Sequence, residues 1–406
     1  MKSMVDRGEF HGLPAPSPEY RSLYVHPPRR ETIQRDAEAY VGHTVRGERA
    51  EIPGAFADWP PDDAQPPWSD VTYLRLYNHP DFNYMAYNTI RMYDSELAQP
   101  ENEVAELWDR IAGILPYFQD RFLIDGAMID MGHALPSALK ERVITGARGA
   151  DPGFALWDED FDVRERTKAE GYNAIVGNVW WNLHRDGLPI DMVRKIAEQS
   201  RIMPVFATPE THNTPRCAAR LGGTDRSACL WVVGAFLPAI PVVHSGFELG
   251  ETVPVNTGLD FTDEERARYP EVVLPLYNAC AYDWSADRSL RDVIQSVLQL
   301  RREYESLVTN SASSTMLVYE TECEKCLAYE RTNHEERLLI IANLSSASAS
   351  VRLRNAAAEQ DQWIDRLTGQ RIRVDATDIY CDLAAWQCAV LVPEPDHPAH
   401  GPASTD

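Results

Sequence analysis

The chain has 406 residues, 44% of them hydrophobic and 25% charged, enough for two domains with cores of their own. Its formal net charge of −23 repels nucleic acid and anionic membrane, excludes both as partners, and leaves room for a neutral or cationic substrate. No run of 18 apolar residues is present to span a membrane, the N-terminus MKSMVDRGEF lacks the apolar stretch of a secretory leader, and seven scattered cysteines fit reduced thiols, so the expected compartment is cytoplasmic.

In chain order, residues 1–70 form a Pro-rich segment expected to be irregular, with one helix near Arg30–Tyr40. Trp68–Tyr77 leads into an ordered strand or loop. Asn78-His79-Pro80 and Phe82-Asn83-Tyr84 then read as an aromatic, polar loop that either packs or lines a ligand site through groups such as His79. Asn102–Phe118 is an amphipathic helix, with Val104, Leu107, Trp108, Ile111, Ile114 and Leu115 on one side.

Regular alternation follows over the second part of residues 71–308. Strands are expected at Phe122–Asp130, Gly153–Asp158, Ala174–Val179, Met203–Ala207 and Ile240–His244. Helices are expected at Ser137–Ala147, Arg164–Glu170, Ile190–Gln199, Pro215–Phe236 and Leu290–Leu307. This βαβα order predicts a parallel sheet of the α/β class whose length suits the second half of a barrel. Residues 309–393 change to short alternating strands, an expected antiparallel β-sandwich domain, and 394–406 read as a disordered tail.

Chemistry-bearing residues collect at three strand ends. Asp130 closes GAMID, Glu159 closes FALWDE, and Glu210, His212 and Asn213 close VFATPETHN. Carboxylates at the C-terminal ends of parallel strands stand where α/β barrels place catalysis, although Asp130 alone would also suit the cap of the next helix. Asp158, Asp160 and Asp162 crowd Glu159, but they lack the glycine and distal glutamate of a calcium loop, and no metal is expected. Cys323 and Cys326 form a CxxC without a second pair at zinc spacing, so they read as structural. Arg216 and Arg220 read as neighbours on one helix face, solvated or salt-bridged. His244 is either a rim ligand or a packing residue, and Glu248 with the loop Glu251–Asp260 reads as part of an outer rim.

These strand ends, in this order, resemble the α-amylase family of glycoside hydrolases (family 13) over about Trp68 to Val392. GAMIDMGH is similar to the family's strand-four motif, and the spacing Asp130-Met131-Gly132-His133 lies nearest its maltosyltransferase-like branch. Ala239–Asp260 resembles the strand-eight region. The resemblance implies a (β/α)8 TIM-barrel type of fold of which strands four to eight are recognisable, since residues 1–70 are too short for three further βα units. Such a half-barrel exposes strand edges, which favours a homo-oligomer over a lone monomer.

By the same resemblance, Asp130 is the nucleophile of a retaining reaction on α-glucosidic bonds. Glu159 is its general acid and base, raised in pKa by burial and its neighbour's charge, and Asn213 contacts sugar hydroxyls. His133 and His212 donate hydrogen bonds to the substrate, an α-glucan or malto-oligosaccharide. Glu210, Trp181 and His79 line the site, Trp181 serving as either sugar platform or core. No cofactor is implied. Two positions depart from the family: Met128 stands where an arginine orients the nucleophile, and Asn213 replaces the third acid. These departures keep a second expectation open, an impaired member serving as a carbohydrate-binding or partner subunit.

Overall fold

The computed structural model describes residues 18–23, 26, 28–36, 39–52, 74–79, 82–86, 99–130, 132, 135–161, 163–198, 202–275, 281–285, 290–357 and 362–394. The expected tail at 394–406 falls outside them apart from Glu394. The chain divides into two compact units, 1–159 with 170–172, and 160–169 with 173–406. Among the described residues no helix is long and apolar enough to cross a membrane.

In the first unit, a short helix α1 (Pro18–Ser22) precedes an antiparallel meander of β1 (Gln34–Asp36), β2 (Ala39–His43) and β3 (Arg49–Ile52). Strands thus replace the helix expected near Arg30–Tyr40. Arg30–Thr32 makes only a single 3-10 turn, and the β-branched and aromatic residues beyond it pair across Gly47 at φ 82°. The expected aromatic loop is instead a hairpin of β4 (Leu74–His79) and β5 (Phe82–Ala86). Leu76 and Tyr77 from β4 pack with Trp108, Leu139 and Val143, and the Trp108 indole donates to the Leu76 carbonyl at 2.7 Å.

Gly113 divides the expected helix into α2 (Ala105–Ala112) and α3 (Ile114–Phe122). Phe122 therefore ends a helix and does not open a strand. Leu123 follows in the left-handed region at φ 53°, its N–H bonded to the Gln119 carbonyl. An apolar run as short as Phe122-Leu123-Ile124 suits either structure, and here the helical spacing of the preceding residues wins. The strand begins only at β6 (Gly126–Ile129), runs into α4 (Ser137–Ala150), and returns as β7 (Ala155–Asp158) parallel to β6. A Cβ at Gly126 would lie 2.8 Å from the Ala155 carbonyl oxygen, so glycine lets these backbones close.

The second unit holds α5 (Glu165–Ala169), β8 (Ala174–Ile175), α6 (Gly177–Asn182), α7 (Leu188–Glu198), β9 (Phe206–Ala207) and β10 (Ile240–Pro241). Ile175 bridges Val205 in parallel, and β9 pairs in parallel with β10. The expected strand Ala174–Val179 stops early because Gly177, at φ 73°, turns the chain into α6; a Cβ there would meet the Val205 side chain at 2.7 Å. Helix α8 (Gly223–Ala235) is buried on nearly every side, which removes the one-sided pattern of a surface helix. The expected helix from Pro215 is a 3-10 turn at Cys217–Ala219 followed by α8. Next come α9 (Asp263–Arg268), α10 (Arg291–Glu303) and α11 (Glu305–Val308).

Eight antiparallel strands close the chain: β11 (Met316–Tyr319), β12 (Cys326–Thr332), β13 (Arg337–Asn343), β14 (Ala349–Leu353), β15 (Trp363–Asp365), β16 (Arg371–Asp375), β17 (Asp378–Leu383) and β18 (Cys388–Pro393). Their bonded order is β11-β12-β13-β18-β15-β16-β17-β14. Alternate residues from both ends of that order, among them Ala328, Ile341, Val351, Ile379 and Leu391, share one core around Trp363. Strand β17 had no counterpart in the expected set. Its inward residues Ile379, Cys381 and Leu383 alternate with Asp378, Tyr380 and Asp382, and aspartate is depleted in strands.

Arg331 of β12 is fully buried. Its guanidinium donates to the carbonyls of Phe236 after α8, Leu307 and Val308 at the end of α11, Asn310, and Thr315 before β11. Helix C-termini leave carbonyls without intrahelical partners, and a cation there meets both the hydrogen-bond and the dipole demand. Burial lowers this guanidinium to about 10, which leaves it charged at neutral pH. Replacing it strands several buried acceptors at once. Arg331→Met is expected to lower unfolding stability by at least ~3 kcal/mol in urea titration; a change below ~1 kcal/mol would contradict this role.

Candidate active site

In the first unit, the two expected catalytic carboxylates leave neighbouring parallel strands. The register pairs Ile129 with Asp158, so Asp130 and Glu159 are the next residues on β6 and β7, and the Glu159 N–H donates to the Ile129 carbonyl at 3.3 Å. Asp130 is exposed and Glu159 half-buried. Asp158 points the other way, as strand alternation requires, and is 2% exposed. Gly132 covers it. A Cβ there would collide with the Asp158 carboxylate and lie 2.7 Å from the Tyr172 hydroxyl, so the glycine of GAMIDMGH has a steric cause that sequence reading missed. Burial, then the charges of Asp158 and Glu170, push the Tyr172 hydroxyl far up and keep it neutral. Met128, on β6 two residues before Asp130, is 46% exposed, and its thioether carries no charge for a carboxylate. His133 and Asp162 lie outside the described residues. His79 ends β4, in the hairpin that replaced the expected loop.

In the second unit, the strand-seven group sits on a turn tied by threonines. The Thr211 N–H donates to Thr214 Oγ1 at 2.8 Å, and the Asn213 N–H donates to Thr211 Oγ1 at 3.1 Å. His212 projects outward and is exposed. Asn213 is held from the far loop: Asn256 Nδ2 donates to Asn213 Oδ1 at 3.0 Å and the Leu259 N–H donates to the Asn213 carbonyl at 2.6 Å. Gly258 lies so close that a Cβ would be 2.9 Å from that carbonyl oxygen. The loop expected as outer rim therefore holds the Asn213 side chain, with Asn256 as a residue the sequence reading did not single out.

Glu210 was expected to face substrate, but both its oxygens are engaged inside the protein. Arg216 donates to Oε1 at 2.6 Å and the Cys217 N–H to Oε2 at 2.7 Å, with both side chains almost wholly buried. Arg216 also reaches the Ser245 and Val253 carbonyls and His244 Nδ1, so His244 packs against this pair. Burial opposes the Arg216 charge, yet Glu210 holds the guanidinium above its ordinary value. Arg216 caps the 3-10 turn and does not share a helix face with Arg220, which pairs with Glu265. Trp181 lies on α6, 7% exposed, with its ring 5.4 Å from that of Phe161, which gives it the core position of its two expected roles. Among the described residues no three His, Cys, Asp or Glu side chains form a metal-holding group.

A second, half-buried cluster anchors the same loop. Arg185 grips Asp260 through two bonds of 2.8 Å, and His184 Nε2 lies 2.9 Å from Asp260 Oδ2. Asp260 takes a positive φ of 64° to reach them. Burial would raise its carboxyl, but bonds from His184 and Arg185 hold it far below the usual range. Burial likewise lowers the His184 imidazole, despite its bond to Asp260.

Comparison with known proteins adds four findings. Residues 316–390 match the family model described as the maltogenic amylase C-terminal domain. A maltogenic α-amylase of Bacillus acidopullulyticus is 22% identical over 318 residues, 72% of this chain and 49% of that enzyme. An α-amylase structure from Geobacillus thermoleovorans, complexed with acarbose, superposes with TM-score 0.56 at 16% identity, over 72% of this chain and 65% of that one. A maltogenic α-amylase structure from Thermotoga neapolitana gives 0.55 at 14%, over 74% and 67%. The chain is similar to members of the α-amylase family. It spans about half the length of the curated relative it matches. The fold is that family's barrel type with a C-terminal antiparallel β-domain, whose strands β11 to β18 coincide with the matched model.

The anchor of this loop responds to acid in one direction. A group whose folded pKa is depressed contributes stability above its unfolded value and loses it as pH falls. His184 therefore begins to cost stability below about 6.5, and Asp260 only in stronger acid, below about 4. The urea midpoint is expected to fall between pH 7 and 5 in the parent protein, and to fall less in His184→Gln. Parallel curves for the two proteins would rule out this origin.

Proposed function

We propose that the chain acts on α-glucosidic bonds of malto-oligosaccharides by a retaining double displacement. The observation that carries the reading is the placement of Asp130 and Glu159 at successive register positions on adjacent parallel strands. Neighbouring strands lie about 4.8 Å apart, which starts the two carboxyl groups on the scale of the ~5–5.5 Å separation that retaining chemistry uses. Asp130 attacks the anomeric carbon while Glu159 protonates the departing glycosidic oxygen. Glu159 then takes a proton from water, or from an acceptor sugar, as the glycosyl ester is released. Asn213, held by Asn256, contacts sugar hydroxyls, with His212 and His133 as further donors. The acarbose bound by the Geobacillus relative and the maltogenic activity named for two others support an α-glucan substrate. The Asp130-Met131-Gly132-His133 spacing favours transfer chemistry of the maltosyltransferase-like kind.

A second reading rests on Met128 and Asn213: a carbohydrate-binding subunit that has lost turnover. The uncharged Met128 thioether cannot supply the charge that the guanidinium of the family motif supplies. Purified protein incubated with maltodextrins, with products followed by chromatography, separates the two. Catalysis through the paired carboxylates predicts that Asp130→Asn and Glu159→Gln each lower turnover by roughly 10³-fold or more, and that Asn213→Asp raises it by about tenfold. Saturable maltodextrin binding with no products from the folded parent protein would establish the binding role instead.

A further inference from the structure

Seven cysteines spread thinly along the chain read as unconnected thiols. The fold brings two of them together. Cys229 and Cys388 stand 159 positions apart, and their sulfur atoms lie 2.9 Å from each other. That is well inside van der Waals contact of two sulfurs and short of the ~2.05 Å of a disulfide bond. Cys229 lies in the middle of helix α8, and Cys388 opens strand β18, where it pairs with Ala342. Both are buried, at 1% and 7% exposure. Rigid elements on both sides hold the approach: the Tyr329 hydroxyl donates to the Val233 carbonyl of α8 at 2.6 Å, and Arg331 donates to the Phe236 carbonyl just beyond it.

We propose that Cys229 and Cys388 are a site of covalent cross-linking, a disulfide that ties α8 to the last strand of the β-domain. Formation removes one hydrogen from each thiol. The two electrons and two protons go to an oxidant of the low-molecular-weight disulfide class, which leaves as two thiols. One cysteine thiolate attacks the oxidant's sulfur and expels the first thiol; its neighbour attacks the resulting mixed disulfide and expels the second. Burial, together with the adjoining Cys229, holds the Cys388 thiol well above its ordinary value, so exchange is slow in the closed fold. The bond therefore forms when the unit is loosened and persists once it closes around the link. A cross-link of such long sequence separation restricts the unfolded chain strongly.

The test uses the full chain. The protein is incubated with oxidised glutathione in mildly denaturing urea, returned to buffer, then alkylated in full denaturant without reductant and digested for mass spectrometry. The expected result is a Cys229–Cys388 peptide pair lighter by two hydrogen atoms, with alkylation at all but two of the seven cysteines and full alkylation after dithiothreitol. The double variant Cys323→Ser/Cys326→Ser is expected to keep the link, and Cys388→Ser to lose it. Alkylation of all seven cysteines, stable glutathione adducts on Cys229 or Cys388, or a link confined to Cys323–Cys326 would each overturn the proposal.

Discussion

One buried guanidinium sets the terms for the second unit. Among the described residues Arg331 has no carboxylate partner; its charge is met by carbonyl oxygens from the ends of α8 and α11 and from the approach to β11. Those carbonyls lie at helix ends and turns, where intrahelical donors run out. Tyr329, two residues earlier on β12, binds the Val233 carbonyl, and Arg301 of α10 reaches the carbonyls of Ala235 and Ala239. The end of α8 is thus closed by side chains of three other residues from two elements. A helix buried on nearly all sides leaves no room for water to do this, so the acceptors must be satisfied by the protein itself.

The same economy shapes the candidate site. Within each unit, polar groups among the candidate residues divide into those that face outward and those turned inward. In the first unit Asp130 is exposed and Asp158 buried; in the second His212 is exposed, while Glu210 and Arg216 are buried as an ion pair. Glu210 and His212 are two residues apart, yet one is a buried ion-pair partner and the other is exposed. The loop carrying Asn256 and Asp260 is fixed by Asn213 at one point and by His184 and Arg185 at another. Two anchors hold a segment with little regular structure of its own, the kind of support that keeps a polar contact such as Asn256–Asn213 in register.

Much of the fold was legible because its signals are local. Helices α2, α4, α7 and α10 carry one-sided apolar spacing, and the β-domain strands alternate at period two. Seven of the eight β-domain strands fell near their expected positions, whereas β17 was masked by its aspartates. Errors gathered where local preference was ambiguous: the Phe122-Leu123-Ile124 run, the chain after Gly177, and the segment Gln34–Ile52, whose residues suit a sheet only once partners are aligned. Among the candidate residues, Asp130, Glu159 and Asn213 were singled out through motif and order. Asn256 was not, because its importance lies in a contact across 43 positions.

The amino-acid sequence by itself determined which carboxylates close which strands, since residue type and strand period are local facts. It also carried the resemblance to the α-amylase family, because the order Asp130, Glu159, His212-Asn213 is a linear pattern. Only the tertiary structure decided which polar groups are spent inside. Glu210 pairs with Arg216, Trp181 packs against Phe161, Gly132 makes room for Asp158, and Cys229 meets Cys388. The physical reason is that burial, pairing and close approach depend on what the rest of the chain brings alongside, and no residue carries that information in its own neighbourhood.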